Sequence, residues 1–130
     1  LATGAKAYVE RERPTAFEAV RALRAHRFVP VLAHPPILKL ADDKIDGFTR
    51  ELRGHGLMGI ETYYATYSRE DADLCHGLAA RYGLLKTGGS DFHGDSKPEI
   101  ALGSGRGDLR VPEDYADKLQ AAIEKVKSEG

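Results

Sequence analysis

Tryptophan is absent, cysteine and methionine occur once each, and neither sign of charge is in excess. Each shortage excludes something. With Cys75 alone the chain can form no internal disulfide, which fits a reducing compartment. Nineteen Lys and Arg against twenty Asp and Glu leave a formal charge of −1, so no basic stripe remains for general nucleic-acid binding. No apolar run is long enough to span a bilayer and no signal-peptide core is present, so a cytoplasmic protein with no membrane partner is expected. The chain also opens with LATGAKAYVERERP rather than a methionine, and its one methionine is Met58. It reads as the middle of something, so a fragment of a longer protein is expected.

What is present is ordinary for a globular domain. The 130 residues are 42% hydrophobic and 30% charged, enough for a single domain with one core. Residues 15 to 28 are predicted helical: Thr15 and Glu18 fit a capping box, and Phe17, Val20 and Leu23 follow at helical spacing. FVPVLAHP suits a buried strand ending near His34. Asp42 to Arg53 is a second helix, capped by Asp42 or Asp43, with Ile45, Phe48 and Leu52 as its stripe and Gly54 and Gly56 as its stop. LMGIETYY is a second strand. Ser68 and Asp71 open a third helix that turns Leu74, Cys75, Leu78 and Tyr82 inward and stops at Gly83. LLKTGG is a third strand, a glycine-bearing loop runs from Phe92 to Arg110, and Pro112 opens a last amphipathic helix through Val126. Alternating helix and strand predicts an α/β fold of parallel strands with right-handed crossovers. Three strands are too few for a closed βα barrel and would make under half of one.

The chemistry-bearing residues fall at the same end of each predicted strand. His34 follows VPVLA, Glu61 lies in GIETYY, and Asp91 and His93 follow LLKTGG. In parallel α/β folds sites are built at that carboxyl edge. Asp91 and His93 are two apart, so an extended backbone would point both to one face. Imidazole with carboxylate suits Zn, Mn or Fe, and Gly88 and Gly89 allow the backbone to turn beneath the ligands. The plainer alternative is a turn capped by Asp91 and a loop histidine held by Pro35 and Pro36.

VLAHP, GIETYY, YGLLKTGGSDFHGD and IALGSG, in that order, closely resemble the PHP family (polymerase and histidinol phosphatase), nearest its stand-alone metal-dependent phosphoesterases. The resemblance runs through nearly the whole chain, including the GAKAYV opening. It implies a distorted (β/α)7 barrel with two or three divalent ions (Mn, Zn, Fe or Mg), and a water activated by metal that attacks phosphate esters of nucleotides or short RNA. His34 matches the family's late histidine, and Asp91 and His93 match its D-x-H pair. The family's amino-terminal H-x-H, with its companion ligands, matches nothing here. The resemblance therefore implies the carboxyl-terminal part of the barrel, with about a third of the site, inactive without the missing amino-terminal half.

Other candidates are weaker. Glu61 and Tyr64 could orient ligands or touch substrate, and Lys39 and Arg106 could reach a phosphate from loops. Tyr63, Tyr64 and Tyr67 could stack on a base or simply fill core. His26, His55 and His76 read as surface residues on helices, Cys75 as core, and RGD at 106–108 as chance. Two readings compete with the split hydrolase. One is a non-catalytic module that binds at most one metal and self-associates through exposed strand edges. The other is a relative that dephosphorylates histidinol phosphate or serves a polymerase.

Overall fold

The computed structural model describes residues 13–129. The GAKAYV stretch lies outside them. Within them the order is α1 (Ala16–Ala25), β1 (Val31–Leu32), a 3-10 turn (Pro35–Leu38), α2 (Asp42–Gly54), β2 (Gly59–Tyr64), α3 (Arg69–Tyr82), β3 (Leu85–Gly89), a second 3-10 turn (Gly94–Ser96) and α4 (Asp114–Ser128). The three strands form one sheet in sequence order, β1-β2-β3, and both pairings are parallel. The expected alternation is therefore observed. No described helix is long and apolar enough to cross a membrane.

Local chemistry explains most boundaries. Thr15 and Glu18 form the expected capping box on α1, and Ser68 and Asp71 form the one on α3. Gly83 ends α3 in the left-handed conformation, with φ +59°. Burial of the stripes against the sheet does the rest: α3 packs on β2 and β3, α4 on β3, α2 on α3 and α1 on α2. The core comprises Val20, Ile45, Leu52, Leu57, Ile60, Cys75, Leu78, Ala79 and Leu84, so Cys75 is core as read.

Four expectations need correction. α1 stops at Ala25 rather than residue 28, because Arg27 turns left-handed with φ +62°. The first strand is far shorter than FVPVLAHP. Pro30 has no N–H to give, and its carbonyl instead accepts from Met58 and Gly59 at the entry to β2. Neither Asp42 nor Asp43 caps α2: Ala41 is the cap residue, and both acids sit in the first turn, where the helix dipole favours them. The segment from Phe92 to Arg110 is not featureless. It holds the second 3-10 turn and a bridge between Ala101 and Gly105, and it buries Ile100 and Leu109.

One irregularity shapes the sheet. β2 and β3 pair Glu61 with Thr87 but Tyr63 with Gly88, so Thr62 is an extra residue on β2. The chains approach so closely there that a Cβ on Gly88 would lie 2.8 Å from Tyr63 Cβ, 2.8 Å from Val111 Cγ2 and 3.0 Å from the Tyr63 carbonyl. Gly88→Ala should therefore destabilise by about 1–3 kcal/mol, the usual cost of overpacking. Gly77→Ala, at a helix position with nothing within 4 Å of the added carbon, should stabilise by about 0.5–1 kcal/mol. Urea denaturation of both variants checks the pair, and equal midpoints would refute the close-approach argument.

Candidate active site

The candidate residues meet around Tyr64, the last residue of β2. His34 follows β1 and holds a left-handed backbone, φ +33°. Its amide donates to Glu61 Oε2 at 2.9 Å, and its ring lies against Tyr64 with centroids 5.3 Å apart. The Tyr64 hydroxyl donates to Asp91 Oδ2 at 2.7 Å. Asp91 follows β3, also left-handed at φ +54°. Two non-glycine residues held in that sparsely populated region, one after each outer strand, are the kind of local strain that clusters at functional sites. A Cβ on Gly89 would meet Glu61 Oε1 at 3.7 Å, an ordinary contact, so space alone does not require a glycine there.

His93 bonds through Nδ1 to the Asp91 carbonyl at 2.6 Å. A carbonyl only accepts, so Nδ1 carries a proton, and in the neutral ring Nε2 is then the nitrogen with the lone pair. A ligand histidine is commonly oriented in this way. Among the described residues Asp91 Oδ1 takes no hydrogen bond, with His93 Nδ1 3.6 Å away, whereas Oδ2 takes both Tyr64 and the Lys97 ammonium, the latter at 2.8 Å.

The electrostatics divide the two carboxylates. Lys97 first, then the Tyr64 hydroxyl, hold the Asp91 carboxyl down to about 2. Burial raises Glu61, and the His34 amide only partly opposes it. Burial, then Asp91, push Tyr64 up to about 12, so it stays a donor at any ordinary pH. Burial also lifts the Cys75 thiol to about 11, which leaves it unreactive.

His34, Glu61, Tyr64, Asp91 and His93 are thus linked in one chain of contacts. Lys39 and Arg106 are exposed, and among the described residues neither bonds to this cluster. The tyrosines are engaged within the fold: Tyr63 packs on His76 and Tyr115, and the Tyr67 hydroxyl donates to the Glu61 carbonyl. His26 and His55 are exposed as expected, but His76 is half-buried against Tyr63. Sequence reasoning missed Lys97. Its one signal was a lysine soon after the D-x-H pair, and only the turn at Gly94–Ser96 folds it back onto Asp91.

The donor types suit a divalent ion: the Asp91 and Glu61 carboxylates, and imidazoles of which His93 keeps Nε2 open. Convergence is incomplete. Among the described residues no three His, Cys, Asp or Glu side chains come together as an ion requires. A cleft of about 410 Å³ opens beside the cluster, walled by Tyr64, Tyr67, Ser68, Arg69, Leu109 and Arg110.

Linkage gives opposite signs for the two acids. Asp91, lowered from 3.8, supports folding above that value and loses the support as pH falls toward about 2. Glu61, raised from 4.5, favours the fold most below that value, and this support fades as pH climbs through its folded value. In a carboxyl-carbon NMR titration Asp91 should titrate near 2. Lys97→Met should move it back toward 3.8, and by more than Tyr64→Phe does. An Asp91 of ordinary acidity would contradict the observed contacts.

No family model matches the chain. Over 77 residues, 59% of its length, the chain is 39% identical to the phosphoribosyl 1,2-cyclic phosphate 1,2-diphosphodiesterase of Eggerthella lenta, and the match spans 28% of that protein. The fold superposes on the crystal structure of a candidate metal-dependent phosphoesterase from Bifidobacterium adolescentis with TM-score 0.68 and 28% identity, covering 93% of this chain and 41% of that one. The chain thus spans less than half of either protein. Both likenesses bear out the resemblance to PHP-type phosphoesterases carried by VLAHP and GGSDFHGD.

Proposed function

We propose that this chain is the carboxyl-terminal part of a PHP-type (β/α)7 barrel and carries one wall of a metal-dependent phosphoesterase site. The observation that carries the reading is the linkage of His34, Tyr64 and Asp91 at the carboxyl ends of three parallel strands, with Glu61 reaching them from within β2. Sequential strand order also supports it. Right-handed crossovers between neighbouring strands place successive helices on one side of a sheet, as in a barrel, whereas a doubly wound sheet reverses its order.

In this reading His34, Asp91 and His93 hold a divalent ion, with further ligands supplied by the amino-terminal half of the barrel. The ion supplies an acidified water and charge neutralisation at phosphorus. The chain's own residues do the positioning. Glu61 fixes the His34 backbone, Tyr64 orients Asp91 through a hydroxyl that does not ionise, and the Asp91 carbonyl fixes the His93 tautomer. The substrates are phosphate esters of nucleotides or short RNA, and the cleft beside Tyr64 offers space for the esterified group.

A second reading is favoured by the incomplete convergence of ligands: a non-catalytic unit that binds at most one ion. Exposed Phe28, Ile37, Leu38 and Leu40 would then be covered by self-association rather than by the rest of a barrel.

Metal content and hydrolysis of a generic phosphodiester decide between them. The chain extended through its amino-terminal half should hold two or more ions and turn over, and the 130-residue chain should do little of either. In the extended protein His34→Ala and Asp91→Ala should each cost at least the roughly 10- to 100-fold lost on removing even a group behind a metal ligand. An extended protein that is metal-free and inert would contradict the proposal.

A further inference from the structure

Lys97 sits where a structural lysine is hard to account for. Its ammonium lies 2.8 Å from Asp91 Oδ2, on an oxygen that already accepts the Tyr64 hydroxyl at 2.7 Å. Neutralising an aspartate whose side chain is 29% exposed does not require this, because solvent and the tyrosine already serve it. The second 3-10 turn delivers the lysine. Gly94 takes φ +58°, the Lys97 amide bonds back to the Gly94 carbonyl, and the side chain returns to a residue six positions earlier. The Lys97 side chain is 40% exposed. It has three donor protons, of which Asp91 takes one.

We propose that Lys97 is the cationic anchor for the substrate's phosphoryl group. This rests on the phosphoesterase reading above. Asp91 meets Tyr64 and Lys97 through Oδ2 and leaves Oδ1 open, so a ligand role through Oδ1 does not displace the ammonium. Among the described residues the ammonium's other two donor protons take no partner. An anionic phosphoryl group, offering several oxygens at once, is the ligand that suits them. The aspartate thus serves as a post that aims the lysine. Lys39 and Arg106, the cations the sequence offered for this task, make no bond to the cluster among the described residues.

The test is titration of inorganic phosphate into the full-length protein by calorimetry, with and without Mn²⁺. Mn²⁺ affinity is measured separately from the EPR signal of the free ion. Lys97→Met should weaken phosphate binding about tenfold, the equivalent of one charge-assisted hydrogen bond, and raise KM for a phosphate ester more than it lowers kcat. Mn²⁺ binding should be unchanged or tighter, because a like charge has left the ligand. Lys97→Arg should restore most of the phosphate affinity, and Lys44→Met on the exposed face of α2 should change nothing. Unchanged phosphate affinity in Lys97→Met, with Mn²⁺ still bound, overturns the anchor and leaves the metal reading standing. A wild-type protein that binds no Mn²⁺ overturns the metal reading. The metal-free titration then decides the anchor alone: a loss in Lys97→Met upholds it, and no loss overturns it.

Discussion

The site depends on one irregularity, the extra residue in β2 opposite Gly88. Because Thr62 is skipped in the pairing, Tyr64 comes level with Gly89, two residues before Asp91. That register brings the Tyr64 hydroxyl within 2.7 Å of the aspartate while its ring backs His34. The contact of β3 with Tyr63 at that point tolerates no side chain, which explains one glycine of the TGGSDFHGD stretch. Gly94 makes the turn that returns Lys97. These two glycines thus do different jobs within one small volume.

Burial and charge then separate two carboxylates that lie close together. Asp91 is partly open and bonded to a cation and a phenol, so it stays ionised well below the usual range. Glu61 is more enclosed and meets mainly a backbone amide, so it ionises less readily. Environments that push paired acids apart are how a single fold assigns them different roles. Here the ionised partner suits a ligand, and the buried one suits a brace for the backbone that carries His34.

Much of this was legible in the residues. The two capping boxes, the glycine stop of α3 and the apolar stripes are local signals, and the helices they announce are present. The shared strand end of His34 and Asp91 followed from alternation alone, whereas Glu61 lies within β2 and reaches the site through its side chain. What escaped was what only tertiary pairing decides. FVPVLAHP looks like a strand, yet Pro30 limits its pairing and only Val31 and Leu32 join the sheet. Asp42 looks like a cap, but Ala41 holds that position. Lys97 carried no periodicity that could single it out among the loop cations, and its contact with Asp91 depends on a turn that brings it back across six residues.

The central claim is that the carboxyl ends of β1 and β3 share one ion-binding wall. Its most direct test is titration of the isotope-labelled protein with Mn²⁺, following paramagnetic broadening residue by residue. The account expects the first signals lost to be those of His34, Asp91 and His93, with Glu61 and Tyr64 close behind. Broadening centred on the acidic cleft of Asp42, Asp43, Asp46 and Asp73, or none at all, would contradict it.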